Sequence, residues 1–146
     1  MVRPQARMRF FTPEEADELV PQVQRAFREI DRLRGQSRRT RARLTDLEAY
    51  WGEEILRPDT PDHRTYEGLQ EELEDAYKAI QKRVREIHDI GGHVKSLERG
   101  LVDFYAHHKG RTVLLCWQKG EPRIAFYHDL EAGFAGRKPL GEDGEA

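Results

Sequence analysis

Apolar residues recur every three to four positions over two long stretches of the chain, residues 16–51 and 66–90. This spacing places the apolar side chains along one face of a helix. Before the first stretch, Thr12 and Glu15 have the spacing of an N-terminal capping box. The pattern therefore predicts two helices, over residues 9–51 and 60–92.

The two apolar stripes fit one antiparallel register. Facing residues in an antiparallel hairpin have position numbers with a constant sum, and seven apolar or small pairs sum to 113, among them Leu47 with Tyr66. The pattern predicts a long antiparallel two-helix coiled-coil hairpin, on the order of 45 Å in length. Because two helices alone leave one side open, we expect a homodimer through the helical arms. The same surface is a candidate binding site for another protein.

Three strand-like runs follow, over residues 101–106, 112–117 and 123–128. If both turns are centred on two residues, Lys109-Gly110 and Gly120-Glu121, nine side chains share one face. These nine are Val102, Phe104, Ala106, Val113, Leu115, Trp117, Ile124, Phe126 and His128. Eight of the nine are apolar, so the pattern predicts a small three-stranded antiparallel β-meander packed on the base of the hairpin, and hence an α+β fold.

The composition favours one domain over residues 1–140, followed by a disordered acidic tail over residues 141–146. Charged residues make up 36% of the chain and hydrophobic residues 37%, which is typical of long solvated helices. The single cysteine excludes a disulfide framework and a zinc motif built on several cysteines. With no signal peptide or transmembrane run, the sequence predicts a cytoplasmic protein with no membrane partner.

Six arginines between residues 32 and 43 form the densest run of one charge. Clustered cations bind phosphate groups. However, the hairpin register places the acidic residues of 67–75 opposite this run, and stacking aromatic residues are missing beside it. With a net charge of −2, the sequence argues against nucleic acid and favours interhelical pairing or a solvated surface.

His108, His128 and Glu131 are the strongest candidates for a functional site in the sequence. In the assumed register His108 and His128 emerge on the same face of the sheet, and Glu131 follows the last strand. Imidazole and carboxylate groups suit zinc, manganese or ferrous iron, so a divalent transition metal is the candidate cofactor. The alternative is that His128 closes the edge of the core, because the two histidines would lie roughly 10 Å apart on the outer strands.

Cys116 and Asp103 are expected to face each other on the other side of the sheet. A neighbouring carboxylate raises the pKa of a thiol, which works against nucleophilic catalysis. The assumed register also places no histidine of the strands on that side. Cys116 is therefore interpreted as a buried structural cysteine.

Several short blocks resemble a known family. They are RFFTPEEA at residues 9–16, LERGLVDF at 97–104, LCW at 115–117, GEP at 120–122 and HDLEAGF at 128–134. Over nearly its whole length the chain resembles the uncharacterised prokaryotic family termed domain of unknown function 2203. It departs at Tyr105, where the family leads us to expect proline, and at Tyr127, where tryptophan is usual. The resemblance implies a small cytoplasmic prokaryotic protein and supplies no activity, cofactor or catalytic residue.

Two functional hypotheses follow from the pattern. The leading one is a non-enzymatic protein-interaction or regulatory module that acts through its helical arm. The alternative is a small metal-dependent enzyme or metal sensor that uses His108, His128 and Glu131.

Overall fold

The computed structural model describes residues 9–141. Helix α1 is Pro13–Trp51, helix α2 is His63–Asp89, short 3₁₀ helices cover Gly52–Leu56 and Phe134–Gly136, and strands β1 to β5 are His93–Ser96, Leu101–His108, Arg111–Gln118, Phe126–Asp129 and Lys138–Pro139. The helices and antiparallel strands confirm the α+β class. Within this range no helix is long and apolar enough to cross a membrane. The predicted disordered tail lies outside the described residues except for Gly141.

The described chain divides into two compact units. The arm unit comprises residues 28–83, and the sheet unit comprises residues 9–27 and 84–141. Each long helix contributes one part of its length to each unit. The single-domain interpretation of residues 1–140 stays a prediction.

The arm unit has a small core of its own around the connection between α1 and α2. A buried cluster contains Leu44, Ile55, Tyr66 and Leu69. Beside it, the Trp51 indole N–H donates to a carboxylate oxygen of Asp62 at 2.8 Å. Leu44 with Leu69 and Trp51 with Asp62 are both pairs that sum to 113, so these contacts agree with the predicted antiparallel register. A coiled-coil geometry for the two helices stays a prediction.

The start of α1 is stabilised by the predicted capping box. The N–H of Glu15 donates to Thr12 Oγ1 at 3.1 Å, and the N–H of Thr12 donates to Glu15 Oε1 at 2.9 Å. These reciprocal bonds satisfy donors that a helix start leaves unpaired. Helix α1 therefore begins at Pro13, four residues later than the predicted boundary at residue 9.

The end of α2 is set by two glycines. The N–H of Gly91 donates to the carbonyl oxygen of His88, and the N–H of Gly92 to that of Ile87, both at 3.0 Å. This is the Schellman arrangement that closes a helix. Gly91 has a φ of 100°, and a Cβ atom there would lie 2.5 Å from the Phe11 ring. Only glycine meets both requirements without displacing the Phe11 ring.

The sheet has five strands in the order β1-β2-β3-β4-β5, all antiparallel. The predicted three-stranded meander is therefore wrong in strand number. The two additional strands, β1 and β5, are short edge strands of four and two residues. An alternation of apolar and polar residues is not recognisable over so few positions, which is why the pattern missed them.

The hairpin between β2 and β3 has the predicted register. Ala106 pairs with Val113, Phe104 with Leu115, and Val102 with Trp117. All six side chains are almost completely buried. They form the core face of the sheet, against which Phe27 of α1 packs on the ring of Trp117 at a centroid distance of 5.8 Å.

The register between β3 and β4 differs from the prediction by one residue. Leu115 pairs with Tyr127 rather than Phe126, so Tyr127 joins the core face and His128 moves to the opposite face. The cause is the connection, in which a tight turn at Lys119-Gly120 is followed by irregular residues 121–125 before β4 begins. Its Glu121 carboxylate accepts from the N–H of Gln118 at 2.6 Å. Because side chains alternate along a strand, a shift of one residue exchanges its two faces.

Candidate functional site

The corrected register brings Asp103, Cys116 and His128 together on the face of the sheet opposite the core face, here called the second face. Asp103 and Cys116 are paired directly across β2 and β3, while His128 comes from β4. One ligand atom from each residue lies within 4.8 Å of the others. Their exposed fractions are only 3%, 1% and 3%. Three side chains that commonly bind metal ions therefore converge in a buried position.

The ring of His128 is held in one orientation. Its Nδ1 lies 2.8 Å from the carbonyl oxygen of Asp129, and its Nε2 lies 3.2 Å from Asp103 Oδ2. A carbonyl oxygen can only accept, so Nδ1 carries a hydrogen and donates it. The other ring nitrogen, Nε2, therefore faces the Asp103 carboxylate and the Cys116 thiol.

The thiol of Cys116 is protonated at neutral pH. Burial, and after it the negative charge of Asp103, raise the pKa of Cys116 to about 12. The positive charge of the nearby Arg137 offsets only part of this rise. A thiol with this pKa is a poor nucleophile, since the thiolate is the reactive form.

Arg137 closes the second face beside Cys116. Its guanidinium lies over the ring of Phe126, 4.0 Å from the ring centroid, and 4.8 Å from the centroid of Phe134. The same group donates to the carbonyl oxygen of Cys116 at 3.1 Å and to the Glu121 carboxylate at 2.7 Å. The ion pair with Glu121 balances the positive charge of Arg137. Together with the bond to Cys116, it links the loop after β3 to the site.

The donor set suits a transition metal better than covalent catalysis. In a nucleophilic cysteine site the thiol is activated by a histidine or by another positive neighbour. Here Asp103 lies next to the thiol and also contacts His128, so it favours the neutral thiol. Sulfur, imidazole nitrogen and carboxylate oxygen together match the ligands of zinc, and the thiolate disfavours magnesium, calcium and manganese.

A cavity of about 280 Å³ lies over the three side chains, which form part of its lining. Its remaining walls consist of four apolar side chains, two charged ones and a glycine: Leu101, Leu114, Leu130, Phe134, Lys95, Glu131 and Gly133. The cavity is partly open to solvent. An ion held by the three ligands would therefore be reachable by small molecules.

The residues predicted from the sequence are only partly brought together. His128 and Glu131 both line the cavity. His108 lies on the core face, buried, with its ring 4.9 Å from the ring of Tyr127. The predicted grouping of His108 with His128 is corrected accordingly, because the register on which it depended is shifted by one residue. The expectation that Asp103 and Cys116 have no histidine on their face is wrong for the same reason.

His93 borders the site from strand β1. It pairs directly with Asp103, and its ring contacts those of His88 and Tyr105 at centroid distances of 4.8 and 5.1 Å. Burial, followed by the charges of His88 and Lys95, lowers the pKa of His93. A neutral His93 adds no positive charge that would oppose a cation at Asp103.

Comparison with known proteins adds one finding. A family model described as "Uncharacterized conserved protein (DUF2203)" matches residues 9–140. No curated protein and no solved structure matches the chain. The resemblance noted in the sequence is thereby confirmed, while the prokaryotic origin and the cytoplasmic location stay predictions.

Proposed function

Because the chain belongs to the uncharacterised DUF2203 family, we propose a function from its geometry: it binds a divalent transition metal ion, zinc first, through Asp103, Cys116 and His128. The observation that carries this proposal is the convergence of their three ligand atoms within 4.8 Å on a buried face. The protein would then act as a small metal-dependent enzyme or as a metal sensor. This is the alternative hypothesis from the sequence with a different set of ligands.

The distances support the proposal. Bonds from zinc to nitrogen, oxygen and sulfur of about 2.0–2.3 Å in a tetrahedral site place the ligand atoms roughly 3.3–3.7 Å apart. The observed upper limit of 4.8 Å is therefore within reach of small side-chain rotations. The hydrogen bond from His128 Nδ1 to a backbone carbonyl is also typical of metal-binding histidines, because it orients the ring and fixes which nitrogen binds.

Metal content is the first test. We expect protein purified without a histidine tag, then dialysed against one equivalent of Zn²⁺, to retain one ion per chain. His107 is an exposed histidine on β2, so a His107→Gln variant should retain the same amount and serves as the control. Retention far below one ion per chain in the unmodified protein would contradict the proposal.

Metal binding should release protons. The Cys116 thiol, with its pKa raised to about 12, keeps its proton until the metal displaces it. We therefore expect about one proton released from the thiol per Zn²⁺ at pH 7, and an apparent affinity that rises with pH by about 10-fold per unit. Calorimetry in buffers of different ionisation enthalpy measures this number. A release well below one proton would show that the thiol does not bind the ion.

We propose, second to the metal site, that the helical arm binds a second copy of the chain. Its support is the exposure of Tyr50 and Leu56, two large apolar side chains near the connection between α1 and α2. Light scattering of the intact protein at micromolar concentration should give the mass of a dimer. A strict monomer would contradict this second proposal, and a regulatory role of the arm through another protein stays a prediction.

A further inference from the structure

We propose that the cavity above the metal site binds a small carboxylate with an apolar body, whose carboxylate takes the open position on the metal. This inference rests on the proposed function, since it requires the ion. Asp103, Cys116 and His128 provide three ligands, and a tetrahedral ion with three protein ligands keeps one position for water or substrate. All three residues line the cavity, so that position faces it.

The walls of the cavity indicate an apolar body. Leu101 and Leu114 are buried on the second face, while Leu130 and Phe134 cover it from the segment after β4. Predominantly apolar walls with a few polar groups at one point are typical of sites for small molecules. The volume of about 280 Å³ is just below the usual range of such pockets, about 300–1,000 Å³, so the ligand is small.

The charges indicate which end of the ligand faces the metal. A divalent ion with the carboxylate of Asp103 and the thiolate of Cys116 is electrically neutral, and His128 adds no charge when it binds through a lone pair. Lys95 and Glu131 both line the cavity, and their opposite charges offset each other. The metal itself therefore selects the ligand, because a carboxylate offers a lone pair to a divalent ion and a protonated amine has none to offer. Glu131 would repel the carboxylate of the ligand, and Lys95 would attract it.

The test uses the intact protein loaded with Co²⁺, whose visible absorption reports changes in coordination. Titration with isovalerate should change this spectrum, with an affinity about 10- to 50-fold higher than that of acetate, because three additional carbon atoms are buried. Isopentylamine, which has the same body and the opposite charge, should have no effect. Equal affinities for acetate and isovalerate would overturn the inference.

Two variants separate the walls from the rest of the protein. Leu130 is 51% exposed at the cavity, so Leu130→Ser should fold, bind Co²⁺ as before and lose most of the preference for isovalerate. Phe10 is 39% exposed and does not line the cavity, so Phe10→Ser should keep the preference. An unchanged preference in Leu130→Ser would contradict the assignment of the wall.

Glu131 distinguishes an open site from a closed one. If the position is open, Glu131→Gln removes a repelling charge, so isovalerate should bind more tightly and the spectrum without isovalerate should stay unchanged. If Glu131 is itself the fourth ligand, the spectrum of Glu131→Gln changes without any carboxylate and the inference fails. Failure of Co²⁺ to bind at all would overturn the proposed function, whereas binding without a response to isovalerate would overturn only this inference.

Discussion

Replacing His128 with glutamine is expected to lower the affinity for Zn²⁺ by more than about 100-fold. Metal affinity typically falls about 10- to 100-fold when a residue that only orients a metal ligand is changed. Removing a ligand itself should therefore lower the affinity by more than this. The remaining carboxylate and thiol would have to hold the ion without the imidazole. Competition with a chromogenic chelator, at a fixed pH because binding is coupled to protons, measures the difference.

The matched control for this change is His107→Gln. His107 lies one residue before the end of β2, is exposed, and stacks on Phe10 with a centroid distance of 4.0 Å. Its substitution should leave the affinity unchanged within about twofold. Because His128→Gln leaves Asp103 buried without its partner, circular dichroism must show that the variant is folded. Cys116→Ser, which keeps the size of the side chain, is the second variant, and unchanged affinity in both would contradict the site.

Replacing Tyr127 with alanine is expected to destabilise the sheet unit by about 3–5 kcal/mol, the range for truncation of large buried aromatic side chains. Tyr127 is only 1% exposed on the core face and contacts the ring of His108. Against a total stability of about 5–15 kcal/mol, a loss of this size leaves a barely folded unit. Urea denaturation followed by the fluorescence of Trp117, in a Trp51→Phe background, measures the change in this unit.

Tyr50→Ala is the matched control for the same chemical change. Tyr50 is 78% exposed near the end of α1, so at protein concentrations too low for the proposed dimer its substitution should alter the free energy of unfolding by no more than about 0.5 kcal/mol. The register expected from the sequence places Tyr127 on the opposite, less buried face. A cost for Tyr127→Ala as small as that of Tyr50→Ala would therefore favour that register over the one in the structure.

Most of the helical part of the fold could be predicted from the sequence, because the interactions that start and stop the helices are local. The capping box of Thr12 and Glu15 and the helix stop at Gly91 involve neighbours in the chain, so they are readable from residue types alone. The tight turn at Lys109-Gly110 sets the β2–β3 register in the same way, with a positive φ at both residues. The edge strands β1 and β5 were missed because each is too short to show a period.

Only part of the candidate site could be predicted from the sequence. Cys116 opposite Asp103 follows from the first hairpin, and that pair was recognised. The histidine was assigned to the wrong face, because the loop after β3 was interpreted as a two-residue turn. Contacts distant in sequence decide its actual path: Ile124 N–H donates to Asp17 at 2.5 Å, and Arg137 binds Glu121 at 2.7 Å. No local pattern encodes these partners.

The sequence by itself determined the α+β class, the two helices, the first hairpin and the resemblance to the DUF2203 family. These depend on periodicity, capping and turn residues, whose effects are confined to a few neighbouring positions. Tertiary structure alone decided the register of β4 and therefore which side of the sheet His128 occupies. The physical reason is that side chains alternate at every residue, so one residue added to a loop and held by distant polar contacts moves a histidine across the sheet to Asp103 and Cys116.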